Sequence, residues 1–121
     1  MASRSVFAFM IEKKEAMDNI EEICSVPGVD IVQFGPYDFA LSSGFNAVDD
    51  MERVRAAERR MIKVALDHGV QPRCELNSAA DAQYYLDLGV RHFSLGFELR
   101  IMSNFLTNEG QQIRELIEKS K

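Results

Sequence analysis

Short apolar runs alternate with longer amphipathic segments along this 121-residue chain. Runs rich in β-branched and aromatic residues predict strands near 6–11 and 31–34, and the segments that follow two glycine–valine pairs predict strands near 71–76 and 92–95. The segments of helical period predict helices near 14–24, 48–68, 78–88 and 108–119. A loop is expected over 35–46. Each strand-to-strand connection is long enough to join parallel strands, so the pattern predicts one α/β domain over 1–121 without an internal linker.

Glycine followed by valine marks the points where helix-like segments give way to strand-like ones, at 28–29, 69–70 and 89–90. Glycine adopts the left-handed backbone conformation that closes a helix, so Gly69 is expected to end the helix near 48–68. Ser78 and Asp81 have capping-box spacing and predict a helix start. Four such strands fit either a small open parallel sheet or half of an eight-stranded (β/α) barrel, which usually has about 250 residues.

Composition is that of a folded globular protein, with 46% hydrophobic and 27% charged residues. The net charge of −5 argues against a nucleic-acid partner, because such binding needs an excess of Lys and Arg. The densest basic cluster, 53–63, is interleaved with Glu52 and Glu58 and predicts a solvated, ion-paired helix face.

The two cysteines, Cys24 and Cys74, stand outside any CxxC pattern and have no histidine at ligand spacing. They therefore predict buried, reduced thiols and neither a zinc site nor a disulfide. The first apolar run stops at Glu12, which makes it too short for a signal sequence or a membrane span. We expect a soluble cytoplasmic protein with no membrane partner.

Two acids, Glu12 and Asp38, each follow a predicted strand. Parallel α/β proteins carry their chemistry at the carboxyl ends of strands, so this pair could share one divalent cation. The structural alternatives are that Glu12 caps the next helix and that Asp38 forms an Asx-turn after Pro36.

The segment 11–44, IEKKEAMDNIEEICSVPGVDIVQFGPYDFALSSG, resembles strands five and six of the HpcH/HpaI aldolase family. These are class II pyruvate aldolases of the 2,4-dihydroxyhept-2-enedioate aldolase type, within the HpcH/HpaI aldolase/citrate lyase superfamily. The shared features are a strand-ending Glu, an EA..N.EEI helix, a PGVD turn and a GPxD loop. The HGV and LGVRHFSLG segments extend the likeness over nearly the whole chain. The resemblance implies the C-terminal half of a TIM barrel.

The resemblance also implies a site. Glu12 and Asp38 fall on the family's two metal-ligand positions, for Mg²⁺ or Mn²⁺, and pyruvate or another 2-oxo acid would complete the coordination shell. The metal would act as a Lewis acid that stabilises the enolate while the bond to an aldehyde carbon forms or breaks. The loop of Gly35, Pro36, Tyr37 and Asp38 would bind the substrate carboxylate through backbone N–H groups.

Two departures from the family pattern concern this site. Met10 stands where the family commonly has a Gln that hydrogen-bonds substrate, and a thioether is a poor hydrogen-bond partner. The family's catalytic Arg and its proton-transferring His come from the first half of the barrel, which this sequence does not contain. His68 and His92 are expected near the opposite face of the barrel, so no catalytic residue is assigned.

Other acids near predicted strand ends are Glu75 and Glu98. Arg73 lies on the same side of its strand as Glu75. Arg73 and Glu75 are expected either to support the substrate site or to form an internal ion pair.

The resulting hypothesis is a metal-dependent aldolase-type carbon–carbon lyase that acts on a 2-oxo acid and an aldehyde. Half-barrels would associate into homo-oligomers through their exposed sheet edges. The alternative is a non-catalytic truncated remnant that keeps this half of the fold and metal binding. A lyase acting on acyl-CoA thioesters is a related possibility without a readable CoA site. A phosphorylated receiver-like module fits poorly, because Lys13 follows Glu12 where such modules have an acidic pair.

Overall fold

The computed structural model describes residues 5–120 and contains one sheet of four parallel strands in the order β1-β2-β3-β4. The strands are β1 (Ala8–Ile11), β2 (Ile31–Phe34), β3 (Gln71–Leu76) and β4 (His92–Leu95). The predicted α/β fold is confirmed, and three strands have the predicted bounds. The first strand begins two residues later than predicted.

Helices and one 3₁₀ turn at Ala79–Asp81 connect or follow the strands. The helices are α1 (Lys14–Asp18), α2 (Ile20–Ser25), α3 (Pro36–Ser42), α4 (Met51–Asp67), α5 (Ala82–Asp87) and α6 (Glu98–Lys119). Gly69 and Gly89 have φ angles of 74° and 92°, which confirms that a left-handed glycine follows α4 and α5. The capping box of Ser78 and Asp81 is also present.

Two predicted helices have the wrong extent. The first is divided at Asn19, whose side-chain amide donates to the Glu15 carbonyl at 2.8 Å and competes with the regular helical pattern. The last begins at Glu98 rather than near Asn108. No Gly or Pro interrupts the sequence between these two positions, so the helix extends back towards β4.

The predicted loop over 35–46 contains α3. Pro36 occupies its first turn, where a missing N–H costs no helical hydrogen bond, and the Phe39 N–H donates to the Gly35 carbonyl at 2.9 Å. The short helix turns Asp38 from a loop residue into a residue of a helical first turn.

The hydrophobic core lies between one face of the sheet and the helices. Along β3, Pro72, Cys74 and Leu76 are buried, whereas Gln71 and Glu75 on the other face are exposed. The core of α4 includes Met61, Ile62 and Ala65, each 1% exposed or less. Helix α4 packs against β2, β3, α2 and α3.

Helix α6 differs from the other long helix, α4, because none of its residues is buried. Its exposed apolar side chains include Leu99, Phe105 and Leu106, each at least 63% exposed. Within residues 5–120, no helix combines the length and the apolar character needed to cross a membrane.

Candidate active site

Glu12 and the start of α3 meet at the carboxyl edge of the sheet. Ile11 and Phe34 are paired as the last residues of β1 and β2, so Glu12 and Gly35 leave the sheet side by side. The Gly35 N–H donates to the Ile11 carbonyl at 3.0 Å and extends the parallel pairing by one residue. The strand ends thus bring the predicted acid and the predicted loop together.

Asp38 is the third residue of α3 and is exposed, whereas Glu12 is half-buried. Within residues 5–120, neither carboxylate forms a hydrogen bond or ion pair. Lys13, not Glu12, is the N-cap of α1, and the Lys14 N–H at the start of this helix donates to Oγ of Ser42 at 2.9 Å. Neither structural alternative, a helix cap at Glu12 or an Asx-turn at Asp38, is therefore found in this part of the chain.

The chemistry of these two side chains suits a hard divalent cation, because Mg²⁺ and Mn²⁺ prefer carboxylate oxygens. In the described part of the chain, no third His, Cys, Asp or Glu joins them to form a cluster that could hold an ion. Mg²⁺ commonly binds through one or two carboxylates and keeps several waters, so a two-acid donor set fits a site that substrate and water complete.

The loop at 35–38 has fewer available backbone donors than its length suggests. The Gly35 N–H is already bonded to Ile11, and Pro36 has no N–H. The first hydrogen bond within the following helix is donated by Phe39. Tyr37 and Asp38 are therefore the residues of this loop whose N–H groups could face a substrate carboxylate.

The open face of the sheet carries a polar row. Gln33, Arg73 and His92 are paired in register across β2, β3 and β4, and Met10 of β1 is paired with Gln33 in the same row. Arg73 and Glu75 lie on this face, as predicted from their spacing, but they form no ion pair with each other. Of the two alternatives for these residues, the internal ion pair is not found, and an ion pair at the exposed Glu75 would add little stability.

The two histidines and Glu98 do not belong to the strand ends of β1 and β2 that carry Glu12 and Asp38. His92 is the first residue of β4 and so lies at the amino end of that strand. His68 is the C-cap of α4, with Nδ1 2.8 Å from the Val64 carbonyl oxygen. Glu98 is the exposed first residue of α6. The expectation that neither histidine reaches the carboxyl edge is confirmed by these positions.

A separate cavity of about 450 Å³ lies beside the carboxyl ends of β2 and β3. Pro36 and Tyr37 line it, but Glu12 and Asp38 do not. Its other polar lining residues are Arg55, Glu58, Glu75, Asn77, Tyr85 and Arg100.

Glu58 is the residue of this cavity that differs most from its prediction as a solvated side chain. The Tyr85 hydroxyl donates to its two carboxylate oxygens at 3.2 and 3.3 Å, and burial raises the pKa of Glu58. The same α4 stripe contains the buried residues Val54, Met61 and Ala65, spaced four, three and four positions apart around Glu58. That spacing is the sequence signal that could have identified Glu58 as half-buried.

The rest of the basic cluster on α4 agrees better with its prediction. Arg59 pairs with Glu52 at 2.5 Å, and Arg53 pairs with Asp50 at 3.4 Å. Both cysteines are free and buried, as predicted. Burial, with the nearby Glu58 charge, raises the pKa of Cys74 to about 12.

The sheet, with two unpaired acids at its carboxyl edge, defines a parallel α/β protein of the kind that binds ligands where the strands end. The sequence profile of the HpcH/HpaI aldolase/citrate lyase family matches residues 2–104. The chain belongs to this family, as its resemblance predicted.

The curated relatives that the chain matches include two aldolases. The chain is 30% identical over 104 residues to the hydroxypyruvate/pyruvate aldolase of Cupriavidus necator, covering 86% of this chain and 39% of that enzyme. It is 30% identical over 93 residues to the 4-hydroxy-2-oxo-heptane-1,7-dioate aldolase of Escherichia coli, covering 77% of this chain and 36% of that enzyme. The chain thus spans well under half the length of both.

Solved structures support the fold. The citrate synthase SbnG superposes with a TM-score of 0.86 at 21% identity, over 93% of this chain and 46% of that one. The HpcH/HpaI aldolase from Desulfitobacterium hafniense superposes with a TM-score of 0.82 at 22% identity, over 91% and 43%. These neighbours are TIM-barrel-like, and the four-stranded sheet corresponds to part of such a fold.

Proposed function

We propose that this chain supplies the metal-binding and substrate-binding part of a metal-dependent aldolase, a carbon–carbon lyase that acts on a 2-oxo acid such as pyruvate. The observation that carries the proposal is the pair Glu12 and Asp38, two carboxylates without protein partners in the described chain, placed after adjacent parallel strands. Aldolase relatives over most of the chain support the reaction class.

In this mechanism Glu12 and Asp38 hold Mg²⁺ or Mn²⁺. When bound, the metal supplies Lewis-acid stabilisation of the enolate of the 2-oxo acid. The N–H groups of Tyr37 and Asp38 orient the substrate carboxylate, because the other two loop residues have no free donor. Glu75 and Arg73, on the open face of β3, support the same side of the sheet.

Proton transfer is not assigned to a residue of this chain. His92 begins β4 and His68 is the C-cap of α4, so neither histidine follows a strand end. These positions favour a second candidate function, a non-catalytic remnant that binds metal without turnover. The two candidates share the metal site and differ only in whether the bound 2-oxo acid loses a proton from its methyl group.

Isothermal titration with Mn²⁺ tests the shared site. We expect saturable binding that Glu12→Gln and Asp38→Asn each abolish, since either change removes one of two anionic ligands. Glu109→Gln on exposed α6 is the control, because it removes the same charge far along the chain from the proposed ligands. Equal binding by all three variants and the parent chain would refute the metal site.

Exchange of the pyruvate methyl protons in deuterated water, followed by mass spectrometry with Mg²⁺ present, separates the two candidates. Exchange that requires both acids supports the aldolase. Metal binding without exchange at high protein concentration supports the remnant instead.

Copies of this chain are also proposed to associate through the edges of the sheet. Strands β1 and β4 are the two edges of the sheet, and unpaired parallel edges beside exposed apolar side chains favour pairing with another chain. We expect homo-oligomers in sedimentation velocity at micromolar concentration. A single monomeric species over the whole accessible concentration range would contradict this expectation.

A further inference from the structure

We propose that Gly35 is a positioning residue for Glu12: the space beside the Gly35 Cα is taken by the Glu12 side chain, and this fixes Glu12 next to the first turn of α3, which bears Asp38. The role concerns the missing side chain of Gly35 rather than its backbone N–H. It rests on the proposed function for its link to metal binding, but the contact itself does not.

The two residues approach more closely than any other residue at position 35 would allow. A Cβ atom on Gly35 would lie 2.8 Å from the Cβ of Glu12 and 3.4 Å from its Oε2 atom. The Glu12 Cβ is attached directly to the backbone and cannot rotate away. A third near atom, Cε of Met10 at 3.4 Å, ends a flexible side chain and can move.

The backbone conformation does not explain a glycine at this position. Gly35 has φ −106° and ψ 89°, outside the left-handed region that favours glycine. Space beside Glu12 is therefore the physical reason for the glycine.

Gly35 is also held on both sides by hydrogen bonds. Its N–H donates to the Ile11 carbonyl at 3.0 Å, and its carbonyl accepts from the Phe39 N–H at 2.9 Å. Moving Gly35 away from Glu12 would disturb the β1–β2 pairing or the first turn of α3. An added methyl group must consequently displace Glu12. This displacement would change the distance between the Glu12 and Asp38 carboxylates.

The direct test is Mn²⁺ titration of Gly35→Ala beside Gly110→Ala. At Gly110, within α6, the nearest atom to an added Cβ is Nη2 of Arg114 at 3.7 Å, an ordinary contact. We expect Gly35→Ala to weaken Mn²⁺ binding about tenfold or more, as for other residues that orient metal ligands, and Gly110→Ala to leave it unchanged. Unchanged affinity in folded Gly35→Ala would overturn the positioning role.

A double-mutant cycle tests the contact without any metal. Urea unfolding is measured for Gly35→Ala in the parent chain and in a Glu12→Gly background, where the opposing Cβ is absent. We expect Gly35→Ala to lower the urea midpoint in the parent chain and to have a much smaller effect in the Glu12→Gly background. If Gly35→Ala alone fails to fold, the double variant should fold again.

Equal loss of stability in both backgrounds, or failure to fold in both, would overturn the contact. If the parent chain binds no Mn²⁺, the proposed function fails. The cycle still decides whether the Glu12 side chain is what excludes a side chain at position 35.

Discussion

The two faces of the sheet differ in what covers them. On one face, helices bury Val32, Cys74 and Ile11 to 2% exposure or less. On the other, Met10 is 50% exposed, and the polar row of Gln33, Arg73 and His92 has no helix packed over it in the described chain. The covered face therefore supplies the hydrophobic core, whereas the open face carries polar side chains that no helix of the described chain covers.

Matched methionines sharpen this comparison. Met61→Ala should lower the free energy of unfolding by about 2–5 kcal/mol, because it empties a fully buried position on α4. Met10→Ala on the open face should change it by about 0.5 kcal/mol or less. Urea unfolding of both variants measures the difference. A large loss for Met10→Ala would mean that another surface covers the open face.

Thiol reactivity compares the faces in a second way. Burial raises the pKa of Cys74 to about 12, so its reactive thiolate is scarce near neutral pH. Ser94→Cys places a thiol on the open face of β4. In a variant without Cys24, we expect the new thiol to be alkylated at least about a hundredfold faster than Cys74. Similar rates in the folded protein would contradict the difference in burial.

The raised pKa of Cys74 makes the free energy of unfolding depend on pH. A thiol with a folded pKa raised from 9.0 to about 12 contributes stability that is fully present below pH 9 and lost as pH rises towards 12. Stability should therefore fall with rising pH across this window. The free energy of unfolding should fall less steeply with pH in the Cys74→Ala variant, even though this variant is less stable than the parent chain at the start.

Glu58 is expected to produce a smaller effect at the border of the covered face. Because burial raises its folded pKa above 4.5, its contribution is fully present below pH 4.5 and is lost as pH rises through the folded pKa. Glu58→Gln keeps an acceptor for Tyr85 without a charge. The variant should therefore become more stable relative to the parent chain as pH rises from about 4 to neutrality. Thermal unfolding measures the difference, and a constant difference across pH would contradict the raised pKa.

The smallest effect is expected for Arg73→Gln. With no ion pair to Glu75 and with a half-buried side chain, the change should alter the free energy of unfolding by no more than about 0.5 kcal/mol. A loss well above this value in urea unfolding would indicate an interaction across the open face.

Strand and helix periodicity predicted the elements whose bounds depend on local sequence. β2 is mostly apolar, β3 and β4 each follow a glycine–valine pair, and left-handed glycines close α4 and α5. Helix α3 escaped prediction because its seven residues are too few for a helical period, and Pro36 suggested a turn. The early start of α6 escaped because Asn108 and Gln111 offered a plausible cap inside an uninterrupted helix.

The candidate site was predictable in its residues but not in its contacts. Glu12 and Asp38 follow strands that the sequence makes recognisable, and the family resemblance adds their roles. The approach of Gly35 to Glu12 depends on the register of β1 with β2. Periodicity indicates which face of each strand is buried, but a shift of two residues in the pairing would keep the same face buried. The cavity beside Glu58 depends on how α4 and α5 meet the strand ends.

The hydrogen bond from the Gly35 amide to Ile11 makes one backbone proton a reporter of the whole carboxyl edge. This proton is protected only while β1 and β2 are paired at their last residues, with Glu12 and α3 held in place. Its hydrogen-exchange rate therefore measures how often the edge opens, independently of any ligand. If the edge opens more often than the centre of the sheet, metal would slow exchange at this amide first.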